Sequence, residues 1–409
     1  MHYLKFSIFS TLNIRSLKFK ILFGIALLTY AIKAEAQSNM DTLLYNIAEN
    51  NLTIAANRQY LDAEKLHFKT GLSLYNPDIN YDYMIGSPST AGNQTDFTIS
   101  QAFDFPTAYI KRKKVSELQI QNTEFQFIET QQNVLLEAKA ICIELIYRNK
   151  LHLELLKRKE NSENLLNYYK TRLKKGDGTV LEVNKVQLQG IEINKNFQQN
   201  LSFINQLNQK LTALNGGKQI VFTDTLYPLL PPIPGFEQLE DEIEKNDPKR
   251  KFLELEKLIG QKQLELSKAL ALPKMETGYH YQGILGQKFQ GVHFGITIPI
   301  WENKNTVKTQ QARLIFKELL VQEHRNEHYH EIKQLYENYK NLEITLKEYQ
   351  TFFLTLNNTD LLNKALAFGQ ISTIEYFLEL SYYNNSFDEY LKTEKEYHQV
   401  LVQLFKFRL

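Results

Sequence analysis

The longest segments of this chain repeat apolar side chains at the spacing of a helix seam. One series alternates steps of four and three residues and comprises Leu335, Tyr339, Leu342, Leu346, Tyr349, Phe353 and Leu356. A second series runs from Leu201 to Leu214 at similar spacing. This rhythm predicts long helices that pack side by side as coiled coils. Residues from about 107 to 175 could form a single helix, which at ~1.5 Å per residue would be about 100 Å long.

Four shorter segments alternate apolar side chains with polar or small ones, which predicts strands. The clearest are residues 79–85 and residues 292–300, where every second side chain is apolar. Phe97 and Tyr279 belong to two further segments of the same period. Strands of about ten residues with one apolar face fit the wall of a transmembrane barrel. The alternative is a pair of soluble hairpins that rest on a helix.

Three pairs of landmarks recur at nearly one offset, which indicates an internal duplication. They are Pro77 and Pro273, Phe97 and Phe294, and Gly176 and Gly369, which lie 196, 197 and 193 residues apart. Each copy is expected to contain a leading helix of about 30 residues, two strands, a very long helix, a glycine break and a returning helix. We assign the first repeat to residues 37–224, a proline-rich connector to residues 225–236 and the second repeat to residues 237–409.

The first 36 residues have the features of an export signal peptide. A basic segment precedes an apolar run, and Ala34-Glu35-Ala36 forms a cleavage site of the small-x-small type. An apolar run of ~12 residues is too short to span a bilayer. No later segment approaches eighteen consecutive apolar residues, so we expect any membrane insertion to use strands. The single Cys142 cannot form an internal disulfide and is expected to pack within a helix.

Four predicted strands are too few for a barrel, since the smallest transmembrane barrels have about eight. Open sheet edges do not occur in lipid, because each unpaired backbone group there is energetically costly. Several subunits would therefore share one barrel. Lys and Arg total 48 against 46 Asp and Glu, which gives no electrostatic reason to expect a nucleic-acid partner. The basic run Lys111 to Lys114 is interpreted as a charged collar just outside the lipid.

Both glycine breaks are predicted to be the tips of helical hairpins. Glycine adopts the positive φ that ends a helix, and a hydroxyl residue followed by glutamate three positions later predicts a capping box. The residues are Gly176, Thr179 and Glu182 in the first copy and Gly369, Ser372 and Glu375 in the second. Capping alone would account for Glu182. Copies of Glu375 arranged around an axis would also form an acidic ring that favours cations.

Taken in order, these features resemble the TolC-type outer membrane efflux proteins over essentially the whole mature chain, from Asp41 to Leu404. The resemblance rests on the duplication, on the strand-to-helix passages SQAFDFPTAYIKRKK and GITIPIWENKN, and on the tips RLKKGDGTVLEV and AFGQISTIEYFLEL. It implies a mainly α protein with a small membrane β part. Long antiparallel coiled-coil helices would form a tunnel, and four strands per protomer would contribute to a shared, trimeric, twelve-stranded outer membrane barrel.

The same resemblance implies a homotrimer in the cell outer membrane, with its helical tunnel in the periplasm. It would be the exit duct of a tripartite efflux or type I secretion system. Its implied partners are outer membrane lipid, a periplasmic adaptor (membrane fusion) protein and an inner-membrane pump of the resistance-nodulation-division or ABC type. It implies neither enzymatic activity nor a nucleic-acid partner. Metal cations, drugs and secreted proteins all remain open as substrates.

By resemblance, Glu375 and Glu379 are candidate pore-gate residues. The acid that such proteins carry three residues after the first is replaced by Leu378, and Glu379 lies one position later. The basic residue expected two positions after Gly369 is Ile371, so the gate would be held differently here. The candidate adaptor contacts at the tips are Gly176, Thr179, Val180, Glu182, Gly369 and Ile371.

His324 and His328 lie one helical turn apart, a spacing that can bind a transition metal. The sequence fixes no third ligand, so the pair is interpreted as part of a solvated helix face and no metal site is predicted. The chain shows no phosphate-binding glycine loop and no hydrolase or metalloprotease motif, so no enzyme and no cofactor are predicted. The alternative function is that of an exported soluble coiled-coil adaptor or scaffold protein.

Overall fold

The computed structural model describes residues 39–229, 232–355 and 358–409. The predicted export signal, residues 1–36, lies outside these ranges. The described chain packs into two compact units. The first, which we call the tip unit, comprises the described residues up to Leu52 and those of Leu135–Ile233 and Tyr339–Gln403. The second, the strand unit, comprises Thr53–Val134, the described residues of Pro234–Asn338, and Leu404–Leu409.

Each unit contains segments of both predicted repeats, because the chain passes through both units in each half. The repeat boundaries at residues 37–224 and 237–409 therefore divide the chain by sequence order and not by packing. They stay a prediction. The connector is free of helix and strand in its described residues before Phe236, as its proline content indicates.

Helices make up most of the described chain. The bounds are residues 39–50 for α1, Leu52–His67 for α2, Pro106–Lys175 for α3, Val180–Leu214 for α4, Phe236–Asn246 for α5, Pro248–Leu270 for α6, Thr306–Thr355 for α7, Asn358–Ala367 for α8 and Thr373–Leu404 for α9. Two short 3₁₀ turns cover Ser89–Ala91 and Lys406–Arg408. The single helix predicted from about 107 to 175 is confirmed by α3, which has 70 residues.

The two leading helices, each predicted to be one segment of about 30 residues, are both divided. In the second copy the break falls at Asp247, whose φ of −62° and ψ of 115° are extended rather than helical. The cause is Pro248, because a proline ring disfavours the helical conformation of the residue before it. Proline is well tolerated at the first position of the new helix, where its missing N–H is not needed. The chain therefore turns a corner at Asp247, and its carboxylate caps α6.

The four strands form one antiparallel sheet in the order β1-β2-β3-β4. Their bounds are Asp78–Met84 for β1, Gln94–Phe103 for β2, Lys274–Ile284 for β3 and Gln287–Thr297 for β4. The β2–β3 pairing joins the two copies, with Phe97 opposite Tyr281. The apolar alternation predicts a strand up to residue 300, but β4 ends at Thr297. The reason is Pro299, which has no N–H to donate to a neighbouring strand.

The core of the tip unit includes a densely buried stretch of α3. Ile141, Cys142, Ile143, Leu145 and Ile146 are all less than a tenth exposed. Burial raises the pKa of the Cys142 thiol to about 12, so the thiol stays protonated at neutral pH. The packing role predicted for this cysteine is confirmed.

In the strand unit, a buried aspartate secures the passage from β2 to α3. Asp104 is only 2% exposed, and its Oδ2 accepts a hydrogen bond from Nη2 of Arg112 at 2.6 Å. The hydroxyl of Tyr75 donates to the same carboxylate at 3.2 Å. Nearby, Nζ of Lys111 donates to Glu265. Part of the basic run at residues 111–114 therefore forms ion pairs with its own chain.

We predict that Asp104→Asn destabilises the protein by about 3 kcal/mol, because loss of one partner leaves a partly buried guanidinium without its counter-charge. Thermal unfolding of the purified chain in detergent should show a clearly lower midpoint. A matched control is Glu117→Gln, which removes a carboxylate from an exposed ion pair with Lys114 and should change stability by less than about 1 kcal/mol. Equal midpoints for the two variants would contradict the anchoring role of Asp104.

Candidate functional site at the paired hairpin tips

The first glycine break ends α3 with a left-handed residue. Gly176 has a φ of 83°. Its N–H donates to the carbonyl of Leu173 at 3.1 Å, and the N–H of Asp177 donates to the carbonyl of Arg172 at 3.0 Å. This pair of hydrogen bonds defines a Schellman motif. An added Cβ would meet no atom within 4 Å, so only the backbone conformation requires glycine at this position.

The second break repeats this motif at the end of α8. Gly369 has a φ of 69°, and its N–H donates to the carbonyl of Leu366 at 3.1 Å. The N–H of Gln370 donates to the carbonyl of Ala365 at 2.8 Å. The two predicted helix ends are therefore confirmed, and their hydrogen bonds correspond residue by residue at an offset of 193.

Each returning helix begins with the predicted capping box. In the first copy, the N–H of Thr179 donates to Oε2 of Glu182 at 2.8 Å, and the N–H of Glu182 donates to Oγ1 of Thr179 at 3.2 Å. In the second copy, the N–H of Ser372 donates to Oε2 of Glu375 at 2.7 Å, and the N–H of Glu375 donates to Oγ of Ser372 at 3.2 Å. Both glutamates thus have a structural role at the tips, whatever else they do.

The two tips lie side by side in the tip unit. The hydroxyl of Thr373 donates to Oε1 of Glu182 at 3.2 Å and lies 2.7 Å from the hydroxyl of Tyr169. Below these polar contacts is a hydrophobic cluster whose buried members are Tyr169, Val183, Val186, Tyr376 and Phe377. Ile371 packs against this cluster. One tip therefore supports the other, and Ile371 contributes to packing at the position where the resemblance implies a basic residue.

The outer surface of the tips combines acidic and apolar side chains. Glu375 and Glu379 are both exposed, and Glu379 lines a cleft together with Ile371. Large apolar side chains are also exposed, namely Val180 at 59%, Leu181 at 79%, Phe368 at 78% and Ile374 at 68%. Of these four residues, only Val180 is among the adaptor contacts predicted from the sequence. The signal that could have found the others is their position within two residues of a glycine break or an N-cap.

Capping also sets the acidity of both glutamates. The backbone N–H of Thr179 stabilises the ionised carboxylate of Glu182 and lowers its pKa below the ordinary 4.5. The backbone N–H of Ser372 lowers the pKa of Glu375 in the same way. Both side chains are therefore charged at neutral pH, which is the state that an acidic ring would need.

The sheet of the strand unit has two chemically different faces. The register places Ile79, Ile99, Tyr279 and Val292 in one row across all four strands. Neighbouring rows on this face add Tyr81, Phe97, Tyr281, Phe294 and Ile296. The opposite face carries Asn80, Asp82, Asp96, Thr98, Glu276, His280 and His293. The predicted alternation is confirmed, and the apolar face is open, with Val292 78% and Phe294 77% exposed.

None of the helices in the described ranges has a stretch with the length and hydropathy that a bilayer-spanning helix requires.

No family model and no curated protein matches this sequence. Solved structures match most of the chain. The transmembrane channel protein CusC matches with a TM-score of 0.74 at 13% identity, over 90% of this chain and 92% of its own. A membrane protein of Pseudomonas aeruginosa matches with a TM-score of 0.76 at 13% identity, over 90% and 89% of the two chains. The outer membrane channel CmeC of Campylobacter jejuni matches with a TM-score of 0.68 at 13% identity, over 90% of this chain and 85% of its own.

These likenesses establish the fold. The chain has the architecture of outer membrane channel proteins, with long helices and a small antiparallel sheet of four strands. The resemblance to TolC-type proteins that the sequence predicted is confirmed for the fold.

We predict that acid loosens the tips through the two capping boxes. A carboxylate whose pKa is lowered in the folded state contributes full stability above its unfolded pKa, near 4.5, and loses that contribution as the pH falls through the folded value. Hydrogen exchange of the amides around residues 176–183 and 369–376, corrected for intrinsic rates, should therefore be faster at pH 3 than at pH 6.5.

The matched control is the double variant Glu182→Gln and Glu375→Gln, in which the amide oxygens can still accept the capping bonds but do not titrate. Its tip protection should depend much less on pH. An undiminished acid effect in this variant would show that other groups control the tips.

Proposed function

We propose that this chain is one protomer of a trimeric outer membrane channel that serves as the exit duct of a tripartite efflux or type I secretion system. The strands would enter the outer membrane, and the helices would form a tunnel in the periplasm. The observation that carries the proposal is the four-stranded sheet with an open apolar face and two strands that each pair on one side only. The likeness to channel proteins over 90% of the chain supports it.

The sheet is incomplete as a membrane element. Within the described residues, β1 pairs only with β2, and β4 pairs only with β3. In lipid, the free backbone groups of both edges would lack partners, and such edges do not occur in the hydrocarbon region. In water, the apolar face and the long edge of β4 would favour aggregation. Pairing of β1 of one protomer with β4 of the next would satisfy both edges, and lipid would cover the apolar face.

Three protomers would give twelve strands, which exceeds the minimum of about eight for a transmembrane barrel. The lengths of β3 and β4, 11 residues each, match the requirement of about 9–11 residues for a tilted membrane strand. The face that carries Tyr279 and Val292 would then meet lipid, and the face that carries His280 and Asp96 would line the lumen. A closed ring of this kind leaves no free edge.

The tips are the proposed docking site for a periplasmic adaptor (membrane fusion) protein, which would connect the channel to an inner-membrane pump of the resistance-nodulation-division or ABC type. Exposed Val180, Leu181 and Phe368 support this assignment, because exposed apolar side chains grouped with polar ones are typical of interaction surfaces. The predicted contacts Gly176, Thr179, Gly369 and Ile371 would shape this surface more than touch the partner. The proposal includes no enzymatic step and no nucleic-acid partner.

The alternative, an exported soluble coiled-coil adaptor or scaffold, is less well supported. It requires the strands to pack their apolar face on the chain's own helices. In the described structure, Val292, Phe294 and Ile296 are each more than 70% exposed. A soluble protein would have to cover this surface in some other way.

Glu375 and Glu379 are the proposed gate. Both are exposed on α9, and three copies around an axis would place acidic rings at the tip of the tunnel. Such rings favour cations and oppose anions. Neither residue has a basic partner among the ion pairs of the described chain, so their charge would act on the lumen.

We predict that cysteines on the two outer strands cross-link neighbouring protomers. Asn80→Cys would be combined in turn with Gly291→Cys, His293→Cys and Gly295→Cys, all on the same sheet face. Within one chain β1 and β4 are three strand spacings apart, about 14 Å, which no disulfide can bridge. Oxidation in outer membrane vesicles should therefore give a ladder that ends at the trimer on a denaturing gel for at least one pair.

The control pair is Asn80→Cys with Val292→Cys, which point to opposite faces and should not cross-link. Absence of a trimer for all three test pairs, together with a stable detergent-free monomer, would refute the shared barrel.

We predict that Glu375→Gln lowers the cation preference of single channels in planar bilayers, because three charges are lost from one ring. The matched control is Glu182→Gln, which changes the equivalent capping box by removing a carboxylate that contacts Thr373 and lies outside the proposed ring. If both variants keep the wild-type ion selectivity, Glu375 is a capping residue and not a gate.

A further inference from the structure

A cluster of metal-binding side chain types lies in the strand unit, at the corner between α5 and α6. Asp247 occupies the corner itself, and Glu244 lies in the last turn of α5. His324 and His328 lie one turn apart on α7 and face this corner. The interpretation of the two histidines as a solvated helix face is therefore wrong. Their side chains are only 21% and 18% exposed, and both are within hydrogen-bonding distance of a carboxylate.

The geometry brings three ligand atoms around one point. Nε2 of His324 lies 3.0 Å from Oδ2 of Asp247, and Nδ1 of His328 lies 3.9 Å from the same oxygen. All three ligand atoms are within 4.8 Å of one another. In a tetrahedral site with bonds of about 2.0–2.1 Å, neighbouring ligand atoms are roughly 3.3 Å apart. Small side-chain rotations would bring the present distances to this value.

The two imidazoles are already aligned for a shared ion. Their rings are nearly parallel, with an interplanar angle of 14° and centroids 5.1 Å apart. This follows from their spacing of four residues on one helix, which places side chains on the same face. The same spacing of two histidines is used in helical zinc sites.

The charge balance around the cluster favours a cation. Two carboxylates, those of Glu244 and Asp247, lie beside the histidines and are only 11% and 13% exposed. The guanidinium of Arg250 lies 3.5 Å from Oε2 of Glu244 and compensates one of these charges. With neutral imidazoles, one net negative charge remains, and a divalent cation would balance it in a largely dehydrated position.

We propose that Asp247, His324 and His328 bind one divalent transition metal ion, with Glu244 beside them and water at the remaining position. A pair of imidazoles selects ions such as Zn²⁺, Cu²⁺ and Ni²⁺, whereas Mg²⁺ and Ca²⁺ prefer sites made only of oxygen ligands. The ion would join α7 to the corner between α5 and α6. It would stabilise the folded strand unit, because the three ligands come together only in the native chain.

Hydrogen bonding is the competing explanation of the same contacts. Asp247 caps α6 by accepting from the N–H groups of Lys249 and Arg250, at 3.0 Å each. The imidazole of His324 could simply donate to the cap. The imidazole of His328 likewise has a carboxylate partner of its own, because its Nδ1 lies 2.8 Å from Oε1 of Glu244. Separate hydrogen bonds, however, do not require the two imidazoles to lie parallel with their nitrogens 3.0 and 3.9 Å from the same Asp247 oxygen. The test must therefore separate the capping role of Asp247 from its role as a ligand.

The experiment titrates the untagged, detergent-purified full chain with Zn²⁺ alone after removal of bound metals, using a competing chelator dye. We expect one high-affinity ion per chain and no competition from excess Mg²⁺. His324→Ala and His328→Ala should each weaken Zn²⁺ binding by about 100-fold or more, since each removes a direct ligand. The matched control is His330→Ala, an exposed histidine on the same helix, which should bind like the wild type.

Asp247→Asn separates the two roles, because asparagine caps helices as well as aspartate does but is a poor metal ligand. The asparagine oxygen can still accept one of the two capping bonds, so the metal-free unfolding temperature should fall only slightly, whereas the affinity for Zn²⁺ should fall at least about tenfold. Zn²⁺ should raise the unfolding temperature of the wild type and of His330→Ala, and not that of the three ligand variants. Unchanged affinity in Asp247→Asn, equal loss in His330→Ala, or no stoichiometric binding by the wild type would overturn the site. None of these readouts depends on channel assembly.

Discussion

The need to pair every backbone N–H and C=O group at the two outer strands governs the rest of this structure. A sheet of four strands has two edges, and here the apolar face next to those edges is exposed. In the proposed assembly, the backbone groups at these edges are paired by a neighbouring chain. The order β1-β2-β3-β4 matters in this respect, because it places β1 of the first predicted repeat at one edge and β4 of the second at the other. The predicted internal duplication would in this way give the proposed protomer two edges that can pair with each other.

The structure of the tips is determined by local backbone hydrogen bonding. Each must reverse the chain after a long helix without leaving the carbonyls of that helix or the N–H groups of the next one unpaired. A Schellman motif followed by a capping box satisfies both sets within seven residues, and the chain uses this solution twice. The two tips then differ in their surroundings. Glu182 contacts Thr373 of the other tip, whereas Glu375 is open to solvent and has no hydrogen bond to the first tip within the described residues. Equivalent positions in the two copies therefore have different surroundings, which is why the proposed gate uses Glu375 and not Glu182.

Local features were predictable from the sequence, and distant pairings were not. Helix α3, both capping boxes and the two faces of the sheet follow from spacing alone, because each depends on residues a few positions apart. The contact between Tyr169 and Thr373 joins residues 204 positions apart, and no periodicity specifies it. The end of β4 at Thr297 was missed because apolar alternation continues past the point where Pro299 interrupts the ladder. Ile371 stands where the resemblance implies a basic residue, but its packing against the hydrophobic cluster depends on the fold of both tips.

The surroundings of the histidine pair are determined by a proline elsewhere in the chain. On α7 alone, His324 and His328 have only each other, and a solvated face was the reasonable interpretation. Pro248, 76 residues earlier, forces the chain out of helix at Asp247. The extended residue then becomes the cap of α6, and its carboxylate is held in place by two backbone N–H groups. Because this cap is packed against α7, a carboxylate fixed for a structural reason lies where the two imidazoles need a third ligand. The proposed metal site thus originates in the proline that divides the leading helix.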